Sequence, residues 1–539
     1  MVFTFIEEME EVQLLREKID GEVGYRLLMG FLLLGVLFLR FYKLDQIPVG
    51  LHIDEAGMAY DAWCLLENGT DRWLHSWPVY LNNTGNGQSV LYCILCALSF
   101  RLFGVSTLAI RLPAAAFSLL TLFYGIKLVH LCWGNDRKRI ALVTLLFVLV
   151  PYFTQNSRYG LDCNLMLGAS TVFLYYFFKA IQSGEIRWYL ISGFCAGIVL
   201  YSYIISYLIV PFFLLFSVIY LLWVRKVNWS RIFAFGVPFL FLAFPLLLVQ
   251  MVNIFGWEDI RIGIFTVNRL SNYRASEFTA NDILPNLIKT IKCLLRDGEL
   301  IFDAFPQYGT FYLISIPFLG IGGIVLLWKA IVSVKRRCWD HSVLLLIWIL
   351  LFIILGCFLG GDGPLTYRFN AAFLVLLLIL SEGILTTVKL AGKYANWLLG
   401  AVIVVYGICF VSFFRYYFYI YPDSVYPQYG FQPELFQVVE YNEGHREELE
   451  KYQIYLCLNY SAAEYYGLAA QILPTEYYVN NQRDSSRCEN VIFISDSKRE
   501  VDEGGCYIVW ETYDGFLNYL KENGFDEKQK VGRYVYMAR

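Results

Sequence analysis

Charge is scarce in this chain. Asp, Glu, Lys and Arg make up 17% of its 539 residues, against 58% hydrophobic and 18% aromatic, with mean hydropathy +0.50. Soluble domains carry about a quarter charged residues, so a soluble globular fold is excluded and the chain reads as a polytopic membrane protein. A net charge of −3, with no basic arm or stripe, leaves nothing for a nucleic-acid backbone to use. The 13 cysteines show neither paired zinc spacing nor an even extracellular set, so no disulfide framework is implied. Cys93-Ile94-Leu95-Cys96 is the one CxxC, and it sits inside an apolar run where packing is its expected role. A cleaved signal peptide is not expected either. Met1 to Tyr25 is acidic (Glu7, Glu8, Glu10, Glu11, Asp20, Glu22), and no small-residue cleavage site follows the first apolar run. No Gly-rich phosphate loop follows a strand, which removes the usual grip on a water-soluble nucleotide. Internal repeats and low-complexity linkers are absent from the pattern as well.

What is abundant is apolar sequence in runs of about 20 residues, the length that crosses a bilayer. Such runs fall at 24–42, 107–132, 139–154, 163–181, 188–206, 208–224, 231–252, 311–329, 342–360, 369–388 and 395–415. Another, 89–103, is short and interrupted by Arg101. Basic clusters arbitrate. Arg137-Lys138-Arg139, Lys179 with Arg187, Arg225-Lys226 with Arg231, Lys329 with Lys335-Arg336-Arg337, and Lys389 with Lys393 occupy every second loop. Cytoplasmic loops carry the Lys/Arg excess, and only a non-crossing 89–103 puts all these clusters inside. The sequence therefore predicts about eleven crossings, with 89–103 a juxtamembrane helix lying in the outer interface.

Three regions follow: a cytoplasmic lead at 1–23, a transmembrane module at 24–420 with outer loops at 43–106 and 253–310, and an extracytoplasmic region at 421–539. In the last, Gln453–Leu458, Asn490–Ser495 and Cys506–Glu511 read as strands, and Pro433–Tyr452, Ala462–Leu473 and Gly515–Asn523 as helices. That alternation predicts a small α/β domain. The expected location is the plasma membrane, multi-pass, with a cytoplasmic N-terminus and an extracellular C-terminal domain.

On this topology several ionisable residues share the outer face. Asp54 and Glu55 follow the first span directly, where charge at a membrane edge marks function by default. Asp54 reads equally as the N-cap of a short helix. Arg158 and Asp162 stand four apart and would pair on a helix, or would meet an anionic ligand and support a catalytic carboxylate. Arg368, in Tyr367-Arg368-Phe369-Asn370, and Arg111, in Arg111-Leu112-Pro113, open spans from outside. There they either snorkel to headgroups or fork onto a lipid phosphate. A lipid-phosphate substrate needs both kinds of group: an arginine for the leaving phosphate and a carboxylate for the attacking hydroxyl's proton.

The motifs Gly50-Leu51-His52-Ile53-Asp54-Glu55-Ala56-Gly57-Met58-Ala59-Tyr60-Asp61-Ala62, Trp77-Pro78-Val79-Tyr80, Gly87-Gln88-Ser89-Val90-Leu91-Tyr92 and Phe103-Gly104-Val105-Ser106 lead to Arg111-Leu112-Pro113. With Arg158 to Asn164 and Tyr367 to Ala371, they make the chain resemble GT-C superfamily glycosyltransferases of the protein O-mannosyltransferase and aminoarabinose-transferase type, in a bacterial branch. The resemblance spans the membrane portion, is specific in the first loop and is loose beyond residue 200. It implies a polyprenyl-phosphate sugar donor, inversion at the anomeric carbon, Asp54 as general base and Glu55 as its partner. It makes Arg111, Arg158 and Arg368 candidates for the donor phosphate, with Asp162, His52 and Tyr60 in support. One departure is visible: relatives place a basic residue or histidine before paired prolines where this chain has Asn86-Gly87-Gln88-Ser89.

No cofactor is expected. His52 is lone among the outer carboxylates, and a divalent metal, were one bound, would have to use Asp54, Glu55 and Asp162. The expected partners are the lipid-linked donor, membrane lipids and a glycan, lipid or protein acceptor, with no nucleic acid. Rival readings are a polysaccharide polymerase or ligase using a lipid-diphosphate glycan, and a non-catalytic lipid-glycan transporter or flippase. Trp257, Phe265, Tyr273, Phe305 and Tyr308 suit stacking on sugar rings, but read first as an interfacial aromatic belt.

Overall fold

Proline breaks one of the runs expected to cross, the one at 139–154. The structure, a computed structural model, describes residues 2–83, 86–270, 279–296, 300, 302–424, 435–457, 462–473, 487–488, 490–495, 497 and 500–539. In chain order the first part comprises α1 (Val2–Phe41), α2 (Ile53–Asn68), a hairpin of β1 (Tyr80–Asn83) and β2 (Asn86–Ser89), α3 (Val90–Phe103) and α4 (Thr107–Trp133). Then come α5 (Arg137–Leu149), α6 (Pro151–Asn156), α7 (Asp162–Ser183), α8 (Ile186–Leu200), α9 (Ser206–Trp223) and α10 (Trp229–Phe255). A second hairpin, β3 (Ile260–Ile262) with β4 (Phe265–Val267), precedes α11 (Ile283–Leu295), α12 (Ser315–Arg336) and α13 (His341–Cys357). A 3₁₀ turn at Thr366–Ala372 feeds α14 (Phe373–Leu390), and α15 (Ala395–Arg415) completes the bundle.

Among the described residues, eight helical segments are long and apolar enough to cross a membrane. The other three runs expected to cross are helical but shorter: α5 has 13 residues, α8 has 15 and α13 has 17. At about 1.5 Å per residue these are roughly 20–26 Å long, under the ~30 Å hydrocarbon thickness. For α5 the reason is Pro151, which has no N–H to continue the ladder and instead starts α6 at its first position.

The helix expected at 89–103 is present as α3, 14 residues long. Ile94, Leu98 and Leu102, spaced four apart, are exposed, while Cys93, Cys96 and Phe100 are buried. That is the one-sided pattern of an interfacial helix, and both cysteines pack as free thiols. A second such helix, α11, exposes Leu284, Ile288 and Ile291 and buries Thr290, Cys293 and Leu294.

The basic clusters gather at one end of the bundle. Arg137 pairs with Glu22 at the start of the apolar part of α1. Arg139 and Lys329 both bind Glu382 of α14, at 2.6 and 2.7 Å. Asp54 follows the opposite end of α1.

The C-terminal region is a six-stranded sheet of order β6-β7-β5-β8-β10-β9. Its strands are β5 (Gln453–Cys457), β6 (Arg487–Cys488), β7 (Val491–Ile494), β8 (Gly505–Trp510), β9 (Asp526–Val531) and β10 (Tyr534–Ala538). Helices α16 (Leu435–Gly444), α17 (Ala462–Ala469) and α18 (Asp514–Glu522) accompany it. The three expected strands form as β5, β7 and β8. The hairpin β9–β10 was not expected, because β9 is a solvent-exposed edge strand of sequence DEKQKV with no apolar alternation. Pro433 and Glu434, the start of the first expected helix, lie outside the described residues. This region does not pack as a free body. Leu435, Val438, Leu468 and Trp510 share one apolar cluster with Leu51, Met58, Ala62 and Leu81 of the first loop.

Candidate active site

Helix α2 begins where it does because His52 caps it. The Nδ1 of His52 accepts from the Asp54 N–H at 3.1 Å, and Glu55 Oε2 accepts from the His52 N–H at 2.8 Å, a reciprocal capping box. The cap expected of Asp54 thus belongs to His52, and Asp54 sits in the first turn, at the positive end of the helix dipole. Its side chain remains 47% exposed. Oδ1 of Asp54 accepts from the Asn83 amide at 3.1 Å, across from the first hairpin. Since Nδ1 of His52 is an acceptor, its 3.7 Å approach to Asp54 Oδ2 is a close contact and not a second cap bond.

Glu55 has the opposite fate. It is fully buried, and its oxygens are taken by Arg111 Nε at 3.3 Å, by the Gly160 N–H and by the His52 N–H. The sequence joined the two carboxylates as a pair; the first turn of the helix separates them, one facing open space and one facing the interior.

Two of the three candidate arginines are spent on backbone. Arg111 is fully buried and gives its remaining donors to the carbonyls of Leu44 (3.1 Å), Pro48 (2.8 Å) and Gly50. Arg158, also fully buried, donates to the carbonyls of Leu39 (2.8 Å), Tyr42 (2.7 Å), Lys43 (3.0 Å) and Ile47 (2.8 Å). These are the orphan carbonyls at the C-terminus of α1 and just beyond, where a cation meets the negative end of the dipole. Neither guanidinium faces a space a phosphate could enter. The pairing expected between Arg158 and Asp162 does not form, because α7 starts only at Asp162, leaving Arg158 in the preceding turn.

Asp162 instead accepts from the Ser89 N–H (3.1 Å) and the Cys163 N–H (2.8 Å), tying the first hairpin to the start of α7. Asp303, which the sequence did not single out, is buried and accepts from the Tyr367 N–H at 3.3 Å. Next to it, Phe302 packs its ring 4.9 Å from His52 and 6.1 Å from Tyr367.

Arg368 follows on the same 3₁₀ turn. It is nearly buried and stands 3.9 Å from the exposed carboxylate of Asp362. Asn370 pins that turn to α7 through Asn164 (3.0 Å) and the Cys163 carbonyl (2.9 Å), and accepts from Tyr152 at 2.6 Å. The segments that carry Asp54, Asp162, Asp303 and Arg368 are thus tied to one another by ring contacts and hydrogen bonds.

Tyr60 does not belong to this cluster. Its hydroxyl donates to the Ile472 carbonyl at 2.9 Å, docking the C-terminal region on α2. The aromatics of the second outer loop also divide. Trp257 is exposed and stacked on Phe255, and Phe265 is exposed, as a belt requires. Phe305 is buried among Tyr416, Tyr417 and Tyr421, and Tyr308 bonds the Ser412 carbonyl at 2.9 Å, so both pack the loop onto the end of α15. Tyr273 lies outside the described residues.

Among the described residues no group of three or more His, Cys, Asp or Glu is arranged to hold a metal ion. A cavity of about 1020 Å³ opens between the 43–50 loop, the start of α4 and the C-terminal region, with Lys43, Phe418, Tyr465 and Arg533 in its wall. It shares no lining residue with the Asp54 cluster.

Residues 88–252 match the family of dolichyl-phosphate-mannose-protein mannosyltransferases. Among solved structures, ArnT from Cupriavidus metallidurans bound to undecaprenyl phosphate is similar with a TM-score of 0.53 at 13% identity, over 94% of this chain and 97% of that one. The same protein in its apo state gives 0.53 and 13%, over 94% and 98%. The Archaeoglobus fulgidus oligosaccharyltransferase in its apo form gives 0.45 at 14%, over 83% of this chain and 64% of that one. No curated protein is a significant sequence match.

Proposed function

We propose that this chain, a glycosyltransferase of the GT-C superfamily with an ArnT-like fold, moves a sugar from a polyprenyl-phosphate donor to an acceptor hydroxyl, with inversion and with Asp54 as general base. One observation carries the choice of base: of the adjacent carboxylates, Asp54 is half exposed at a helix N-terminus, while Glu55 is buried and bound to Arg111. Only the first can meet a substrate.

In the reaction, Asp54 takes the proton of the acceptor hydroxyl as its oxygen bonds to the anomeric carbon. The bond from that carbon to the phosphate oxygen breaks on the opposite face, and its electron pair leaves with polyprenyl phosphate. Charge grows on that phosphate, and Arg368, on the turn tied to Asp303 through the Tyr367 N–H, is the candidate cation for it. The phosphate lipid in the Cupriavidus ArnT structure supports a lipid monophosphate as the donor class. The cluster lies at the bundle end opposite the basic loops, which supports an extracytoplasmic site.

The decisive experiment is Asp54→Asn in purified protein with lipid-monophosphate-linked sugar. Turnover should fall by about 10²- to 10⁴-fold, the usual worth of a positioned base; a wild-type rate rejects the assignment. Arg368→Gln is expected to lower turnover about a hundredfold; unchanged turnover rejects it as the cation for the phosphate.

A further inference from the structure

An uninterrupted chain of side chains runs from the C-terminal sheet region to Asp54. Glu464 of α17 stands 3.2 Å from Arg72 Nη1 as an ion pair. Arg72 is fully buried and clamped by Asp61, which receives its Nε at 2.9 Å and its Nη2 at 2.8 Å. The same Nη2 also donates to Asn83 Oδ1 at 3.3 Å, and the amide nitrogen of Asn83 donates to Asp54 Oδ1 at 3.1 Å.

We propose that Asn83, Arg72 and Glu464 are positioning residues for Asp54, so that the C-terminal region fixes the direction of the base from outside the site. The proposal rests on the reading of Asp54 given above.

Two features make the chain directional. An amide has one acceptor and one donor end. Arg72 has no acceptor to offer, so it must take the oxygen of Asn83, which turns the amino group toward Asp54. That donor holds the Asp54 carboxylate in one orientation. The second feature is Gly57, one turn into α2. A Cβ there would stand 2.7 Å from Asn83 Oδ1 and 2.8 Å from Arg72 Nη2. Glycine inside a helix costs about 1 kcal/mol relative to alanine, and here its bare backbone is what lets the Arg72–Asn83 contact pass over α2.

The test is a cycle on the full chain in the lipid-linked sugar assay. Asn83→Leu should lower kcat about tenfold or more and leave KM for the donor unchanged, because the base loses its orientation and not its substrate. Glu464→Gln should lower kcat several-fold by itself and have no further effect when added to Asn83→Leu, since its influence passes through Asn83. A wild-type kcat in Asn83→Leu, or multiplying effects in the double variant, overturns the proposal. If Asn83→Leu does not fold, Asn83→Ser is measured in its place, with the same loss of kcat at unchanged KM required. Asp54→Asn is run alongside. If it is inactive while the Asn83 variant keeps a wild-type kcat, the positioning role alone falls. If it is active, the base assignment falls first.

Discussion

Adjacent carboxylates in one motif carry different loads, and the difference is measurable. Glu55 is buried against Arg111 with every oxygen contact internal. Removing one partner of a buried ion pair strands the other, at a cost of about 3–5 kcal/mol. Glu55→Ala is therefore expected to lower the thermal unfolding temperature sharply and to lose activity through lost fold. Asp54→Asn, half exposed, should shift stability by no more than about 0.5 kcal/mol while losing turnover. Melting curves in detergent for the two variants, set beside their activities, separate the roles; equal losses of stability would contradict them. The motif was legible in the sequence as a candidate site. Which of its two acids faces outward was not, because that depends on the helix starting at His52, and histidine is not among the preferred caps. The arginines illustrate the same limit. Charge at a span mouth was visible, but whether a guanidinium faces a phosphate or a set of backbone carbonyls depends on how the 42–50 loop folds back over it.

At the scale of elements, the hydrophobic runs located the helices of the bundle and α3, but three of the eleven runs expected to cross form helices of only 13, 15 and 17 residues. What they did not show is the traffic between the long loops. His75 is an example. Its Nδ1 lies 2.9 Å from Asp71 Oδ2 and its Nε2 lies 3.5 Å from Asp259 Oδ2, so one ring joins the first loop to the second. Burial opposes its charge, but Asp71 and Asp259, with Asp61 behind them, outweigh it and raise its pKa above the usual value. A raised folded-state value means that the bound proton contributes stability fully below the unfolded value of about 6.5. That contribution fades as pH climbs through the folded value. His75→Gln should therefore melt below the wild type at acidic pH, with the gap closing as pH rises; a gap independent of pH rules out the clasp. No periodicity announces such a contact, since its two halves are some 180 residues apart in loops.

For the molecule as a whole, the consequential departure from the sequence pattern is the seam between membrane module and C-terminal region. Composition marks a break near residue 421, and an α/β domain was expected beyond it as a separate unit. The sheet is there, yet its helices α16 and α17 bury their apolar faces against the first loop. Leu435, Val438 and Leu468 belong to the same cluster as Met58, Ala62 and Leu81. Polar contacts cross the seam too, from Tyr60 to Ile472 and from Arg72 to Glu464. Sequence shows that α2 has an apolar face but not what covers it, because the covering residues lie some 400 positions away. A shared core implies shared unfolding. Leu468 is fully buried at this seam, and truncating a buried leucine to alanine costs about 2–5 kcal/mol. In Leu468→Ala, calorimetry should show the transition that includes the first loop move down together with that of the sheet, as one cooperative event. An independently folded tail would instead give two transitions, only one of them displaced. Because the seam also carries the chain from Glu464 to Asp54, the same variant should lose turnover at temperatures still below its melting point.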